Sequence, residues 1–248
     1  MSPIYRAPDA IKLASMWGLR TAEREWHSTV ERGDSAPIIT RHGLQLAQLG
    51  LTPRWAVAPL DEAGLARVSI VDASNTSAAR NAFERGRWCV IPALAFYLTR
   101  SRQGAGGSDL WKFSRKDLQG LSIAGLYDRW RVPSDGREVC RFAMLTVDAC
   151  DHPLLKEFGR VRARSGIVSS QAPLLLDRAR HEQWLNASTA DALQLARDGL
   201  NDELIAEPPA SPSLPRSDSI AATRGSLVSA LSSPSAAANV LPLISLIP

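Results

Sequence analysis

A succession of short apolar segments, each bounded by turn-forming residues, occupies the middle of the chain between Leu65 and Val147. Turn-rich stretches at residues 103–108 and 133–136 separate some of these segments. Their lengths and residue types predict six strands, over residues 67–71, 88–92, 95–99, 110–113, 121–130 and 139–147. Strands that follow one another through short turns pair antiparallel, so the pattern predicts a mostly antiparallel, barrel-like sheet.

Helical and hairpin patterns flank these strands. Asp9 is a suitable cap for a helix whose apolar residues recur at helical spacing. Residues 36–40 and 44–49 alternate around Gly43, which predicts a hairpin. Four helices are predicted, over residues 10–24, 77–85, 177–185 and 189–198. Helices beside an antiparallel sheet place the chain in the α+β class.

The composition changes abruptly beyond Glu207. Residues 208–248 consist largely of Ser, Ala, Pro and Leu, without a sustained period, and their charged residues are Arg216, Asp218 and Arg224. Such a segment buries too little apolar surface to offset the entropy of ordering. We therefore predict a folded domain over residues 1–207 and a disordered tail over residues 208–248.

Several classes of protein are excluded by what the sequence lacks. It has no run of about 18 apolar residues and no signal-peptide order at its start, which predicts a cytoplasmic protein without a membrane partner. Its cysteines are Cys89, Cys140 and Cys150, an odd number in apparent strands. This arrangement favours buried free thiols over a disulfide framework or a metal site, and we expect neither metal nor cofactor.

Basic residues are concentrated in two places along a chain whose formal net charge is +4. Each concentration is compatible with a phosphate-contacting surface or with an ordinary solvated face. One holds Lys156, Arg160, Arg162 and Arg164, opposed by Glu157, and the other holds Arg80, Arg85, Arg87, Arg100 and Arg102.

Six blocks of the chain, taken in order, resemble the SOS response-associated peptidase family, whose members process abasic sites in DNA. The resemblance covers residues 2–208 and implies an α+β fold built on a barrel-like sheet. The blocks are Met1 with Tyr5, Arg54 with Trp55, residues 87–93, residues 124–130, residues 144–149 and residues 152–158.

The resemblance implies a site whose reactive groups are replaced in this chain. In the family, an N-terminal Cys exposed by removal of the initiator Met condenses with the abasic aldehyde, and its sulfur closes a thiazolidine. This position is Ser2, and an alcohol does not ionise at neutral pH as a thiol does. The family's Glu, His and Asn fall on Leu98, Gly159 and Leu65. Leu and Gly side chains carry no protons, so we predict that all four positions are catalytically inactive.

The remaining basic and aromatic residues of the implied site suit a single strand of DNA. Arg67, Arg160 and Arg162 are predicted to contact phosphates, and Trp55 and Trp88 to stack on unpaired bases. The prediction is a family member that binds single-stranded or abasic-site DNA in the damage response without the crosslinking reaction. For Trp88, burial in a core strand is an equal alternative.

Two other functions stay open at this point. The α-amine of Ser2 can still form a transient imine with an abasic aldehyde, which would make the protein a residual enzyme. The second alternative is an interaction protein, in which residues 208–248 bind a partner and the chain does not bind nucleic acid.

Overall fold

A computed structural model describes residues 4–19, 25–53, 55–56, 64–102, 106–162, 168–197 and 203–209. Ser2 and the predicted tail beyond Pro209 therefore lie outside the described residues, and for Arg162 the description covers only the backbone. None of the helices in the described part is long and apolar enough to cross a membrane.

Strands dominate the described part of the chain, and four α-helices accompany them. The helices are α1 (Ala10–Trp17), α2 (Arg80–Glu84), α3 (His181–Leu185) and α4 (Thr189–Arg197). The strands are β1 (Tyr5–Arg6), β2 (Thr29–Val30), β3 (Ser35–Thr40), β4 (Gly43–Leu49), β5 (Arg67–Ser69), β6 (Trp88–Ala93), β7 (Ala95–Ser101), β8 (Ser108–Arg115), β9 (Leu121–Arg131), β10 (Glu138–Asp148), β11 (Arg160–Arg162), β12 (Val168–Pro173) and β13 (Leu204–Glu207).

Five strands close into a barrel. Strand β3 pairs antiparallel with β4 and β6, β6 pairs with β9, and β9 pairs with β10. Parallel pairing of β10 with β4, at Phe142 and Leu49, closes the ring. The predicted α+β class with a barrel-like, mostly antiparallel sheet is confirmed.

A second sheet, in the order β13-β8-β7-β1-β2, packs on the barrel. Parallel pairing of β5 with β10, at Arg67 and Met144, places β5 beside the barrel near this sheet. Strand β12 pairs with β10 and carries β11 on its other side. The chain therefore brings β1, β5, β7 and the segment that leads into β11 to one region.

The two faces of β6 belong to two different cores. Cys89 and Ile91 lie in the core that fills the barrel and reaches the second sheet. Trp88 and Val90 lie in a core outside the barrel, beneath α2, α3 and α4. Side chains on a strand alternate between its faces, and β6 is buried on both, so its residues 88–93 read as a continuous apolar run.

Local signals explain the hairpin and the end of α1. Gly43 has a φ of 101°, which turns β3 into β4 as predicted. Asp9 caps α1 by accepting a hydrogen bond of 2.8 Å from the amide of Lys12. The helix ends at Trp17 because Gly18 adopts the left-handed conformation, with a φ of 67°. The prediction that it continues to residue 24 is wrong at Gly18, and residues 20–24 lie outside the described part.

The three cysteines are free thiols, as predicted, but they are not all buried. Cys89 is buried inside the barrel, whereas Cys150 is exposed in the turn after β10. The expectation of burial is wrong for Cys150 because β10 ends at Asp148.

Candidate functional site

Leu98 and Gly159 lie against each other, although they are far apart in the sequence. The amide of Gly159 donates a hydrogen bond of 2.9 Å to the carbonyl of Thr99 on β7. Leu98 is 2% exposed, and its Cδ2 is 3.3 Å from the place that a Cβ of residue 159 would occupy. The structure therefore brings together the positions onto which the resemblance places the family's Glu and His, and the contact between them is apolar.

The backbone at Gly159 leaves no room for a side chain. Its φ of 60° is a left-handed conformation that favours glycine. A Cβ there would lie well inside van der Waals distance of the carbonyl oxygen of Gln171. The hydrogen bond of 3.1 Å from the amide of Gln171 to the carbonyl of Gly159 fixes these two segments side by side. In this backbone, residue 159 can present neither an imidazole nor any other proton-carrying group.

Arg67 holds the N-terminal strand to this region. One of its Nη atoms donates to the carbonyls of Tyr97, at 2.8 Å, and Ile4, at 3.5 Å. Burial lowers the pKa of this guanidinium to about 10, and the positive charge of Arg32 adds to the effect. These contacts join β5 and β7 to Ile4, the first described residue. The phosphate contact predicted for Arg67 stays a prediction.

The predicted Asn position is also apolar. Leu65 makes an isolated antiparallel bridge with Leu51, and its half-buried side chain packs against the core outside the barrel. It therefore presents no amide to a ligand.

The two tryptophans predicted to stack on bases differ in exposure. Trp55 is 74% exposed, so its ring is accessible to a ligand. Trp88 is 1% exposed, its Nε1 donates to the carbonyl of Ala187 at 2.7 Å, and its ring packs against Phe83 and Trp184. The stacking role predicted for Trp88 is wrong, because neither face of a buried ring can receive a base.

Arg100, from the second basic concentration in the sequence, lies beside the segment that carries the first. Strand β7 carries Arg100, and the segment on either side of Gly159 carries Lys156 and Arg160. The Cζ of Arg100 lies 5.5 Å from the ring centre of Phe158. We call Arg100, Lys156 and Arg160 the basic seam. Among the described residues, none of the three side chains has a hydrogen bond or an ion pair.

The sequence places Arg100 in a basic concentration but does not by itself assign it to the site. Alternation along β7 puts Phe96, Leu98 and Arg100 on one face of the strand, and this signal was available. The sequence does not show that the segment containing Phe158 lies against Arg100, because this contact joins distant parts of the chain.

No group of three His, Cys, Asp or Glu side chains in the described part of the chain is arranged to hold a metal ion. His152 lies near the site, and its Nδ1 accepts hydrogen bonds from the amides of Leu154, at 3.1 Å, and Leu155, at 3.0 Å. These bonds hold the 3-10 turn Leu155–Glu157, from which Lys156 projects.

Comparison with known proteins gives a family and a fold. The family model described as SOS response associated peptidase (SRAP) matches residues 11–209. No curated protein matches the chain.

Three solved structures are similar. A protein from Bordetella bronchiseptica has 24% identity and a TM-score of 0.68, with 84% of this chain and 99% of the other covered. A protein from Bacteroides thetaiotaomicron has 21% identity and a TM-score of 0.66, with coverages of 83% and 91%. A phage-related protein from Bordetella bronchiseptica has 15% identity and a TM-score of 0.58, with coverages of 85% and 95%. These similarities show a shared fold.

Proposed function

The chain belongs to the SOS response associated peptidase family, and we propose that it is a member that binds single-stranded DNA without forming a covalent link to it. The family resemblance implies that the ligand is single-stranded DNA that contains an abasic site.

The contact between Leu98 and Gly159 is the observation that carries the proposal. General acid–base catalysis needs a side chain that can give or take a proton within hydrogen-bond reach of the reacting group. An aliphatic side chain and a glycine hydrogen meet at the two positions where the resemblance implies a Glu and a His. Leu65 stands at a third position, and it has no amide to hold a nucleotide.

The chemistry of residue 2 supports the same conclusion. Ser2 offers a hydroxyl that stays protonated at neutral pH unless a base lies beside it. Its α-amine can condense with an aldehyde, but the hydroxyl closes the imine to an oxazolidine, which opens again readily. Because Leu98 and Gly159 carry no group that assists the proton transfers of this condensation, we expect the DNA to be held without a covalent link.

The basic seam supports DNA as the ligand. Its three cations flank Gly159, and within residues 156–162 the opposing carboxylate is that of Glu157. Trp55, which is 74% exposed, adds an aromatic ring of the kind on which unpaired bases stack. Cations that contact phosphates release counterions from the nucleic acid, so the affinity must fall as salt rises.

The test is the salt dependence of binding to a fluorescein-labelled 20-nucleotide single strand, followed by anisotropy with the full-length protein. Each phosphate neutralised on a single strand contributes about −0.7 to the slope of log affinity against log salt concentration. Two contacts, from Lys156 and Arg160, therefore contribute about −1.4 to the expected slope.

Paired variants separate the seam from general charge. The double variant Lys156→Gln/Arg160→Gln is expected to lose about 1.4 from the slope. The control Arg131→Gln/Arg197→Gln removes the same charge from exposed residues on β9 and α4, and its slope should match that of the wild type. Affinity that stays flat between 50 and 200 mM salt would contradict the proposal.

A further inference from the structure

We infer that Arg100, supported by the rings of Trp111 and Phe158, binds a backbone phosphate of single-stranded DNA beside Gly159. The inference rests on the proposed function and names one contact through which the site would hold its ligand. It assigns to Arg100 a role that differs from that of Arg67, one Nη of which donates to two backbone carbonyls.

Two aromatic rings support the guanidinium. The Cζ of Arg100 lies 5.8 Å from the ring centre of Trp111 and 5.5 Å from that of Phe158. The rings contact each other edge to face at 5.4 Å, and Phe158 packs in turn on Phe113 at 4.9 Å. This aromatic group is continuous with the core of the second sheet, so the surface under Arg100 is anchored.

The cation–π contacts of Arg100 leave its N–H donors available, because no acceptor among the described residues binds them. The N–H groups of a guanidinium lie in the plane of the group, so contact with an aromatic face does not occupy them. The same planar fork matches two oxygens of a phosphate, which makes bidentate recognition available to Arg and not to Lys. Arg100 is half-buried, so less side-chain freedom remains to be lost on binding.

The carboxylate nearest in register is already engaged. Asp109 on β8 lies directly opposite Arg100 in the pairing with β7. It accepts a hydrogen bond of 2.8 Å from Nε of Arg102, and this interaction lowers the pKa of Asp109. In the part of the chain that the structure describes, Arg100 makes no hydrogen bond or ion pair. An oriented guanidinium without an acidic partner suits an anion supplied by a ligand.

The position of Arg100 indicates a phosphate of the DNA backbone. It lies one residue from Thr99, whose carbonyl binds the amide of Gly159, and Arg160 follows immediately on the other segment. Cations on both sides of the Leu98–Gly159 contact would follow successive phosphates of one strand, as basic grooves for single strands do.

The experiment compares Arg100→Gln with the control Arg131→Gln, which removes an exposed arginine from β9. The probe is the same labelled 20-nucleotide single strand, titrated at several salt concentrations, and melting temperatures establish that both variants are folded. Arg100→Gln is expected to bind about tenfold more weakly at 50 mM salt and to lose about 0.7 from the slope. Arg100→Lys should keep the slope and lose affinity by a smaller factor, because it keeps the charge without the fork.

The outcomes separate this inference from the proposed function. If the wild type binds with a steep slope and Arg100→Gln behaves like it, the inference is overturned and the proposed function stands. Equal losses in Arg100→Gln and Arg131→Gln would also overturn the inference, since they would reflect total charge. A wild type that does not bind the strand overturns both.

Discussion

Replacing Gly159 with Ala is expected to lower the free energy of unfolding by about 2–5 kcal/mol. A non-glycine residue held at a φ of 60° costs about 1–2 kcal/mol in backbone strain. The new Cβ would also collide with the carbonyl oxygen of Gln171, a backbone atom that cannot rotate away, and overpacking of this kind costs about 1–3 kcal/mol. Urea denaturation followed by circular dichroism measures the change.

Gly136 provides a matched control for this substitution. Its φ is 70°, close to that of Gly159, but a Cβ there would meet nothing within 4 Å. Gly136→Ala therefore carries the strain without the collision, and we expect a loss of about 1–2 kcal/mol. Equal losses in the two variants would show that Gly159 has room for a side chain. The backbone at residue 159 would then not exclude a proton-carrying group.

The collision at Gly159 bears on the chemistry as well as on stability. Any side chain introduced there, His included, begins with the same Cβ. The path of the backbone therefore excludes a proton-carrying side chain at residue 159, whichever amino acid stands there. A reversal of Ser2 to Cys would supply a thiol without supplying the groups that the resemblance implies at Leu98 and Gly159.

Replacing Trp88 with Ala is expected to lower the free energy of unfolding by about 3–5 kcal/mol. The indole is 1% exposed, and its ring centre lies 5.5 Å from that of Phe83 and 5.1 Å from that of Trp184. Its removal would open a cavity between the barrel and α3, and would take the hydrogen bond of 2.7 Å from the carbonyl of Ala187. Urea denaturation is again the measurement.

Trp55→Ala is the control, because it removes the same side chain from a site that is 74% exposed. We expect its stability to stay within about 0.5 kcal/mol of the wild type. Its affinity for single-stranded DNA should fall, while that of folded Trp88→Ala should not. Comparable destabilisation of the two variants would contradict the placement of Trp88 in the core.

The sequence predicts the barrel well because its strands have strong local signals. Residues 88–93 form a continuous apolar run and become β6, which is buried on both faces. Strands β11 and β13 were not predicted, since they have only three and four residues, and β12 was not predicted, since it is rich in polar residues. The pairing of β13 also depends on a neighbour supplied by a distant part of the chain, β8.

The candidate site likewise has a part that the sequence predicts and a part that it does not. The replacement of reactive groups at Ser2 and Leu98 follows from the residues themselves, once the resemblance is recognised. That Gly159 touches Leu98, and that Arg100 lies over Phe158, depends on the hydrogen bond between Gly159 and Thr99. A contact between residues that are far apart in the sequence leaves no local pattern, so a single sequence does not predict it.

The absence of a covalent link to DNA is tested by incubating the full-length protein with single-stranded DNA that carries one abasic site. The products are then separated on a heated denaturing gel. Removal of Met1 is first established by mass, and parallel samples receive borohydride to trap any imine. We expect a shifted band on a native gel and no shifted band on the denaturing gel, with or without borohydride. A heat-stable band on the denaturing gel in either sample would show that the protein still forms a covalent bond with the abasic site, and would overturn the proposed function.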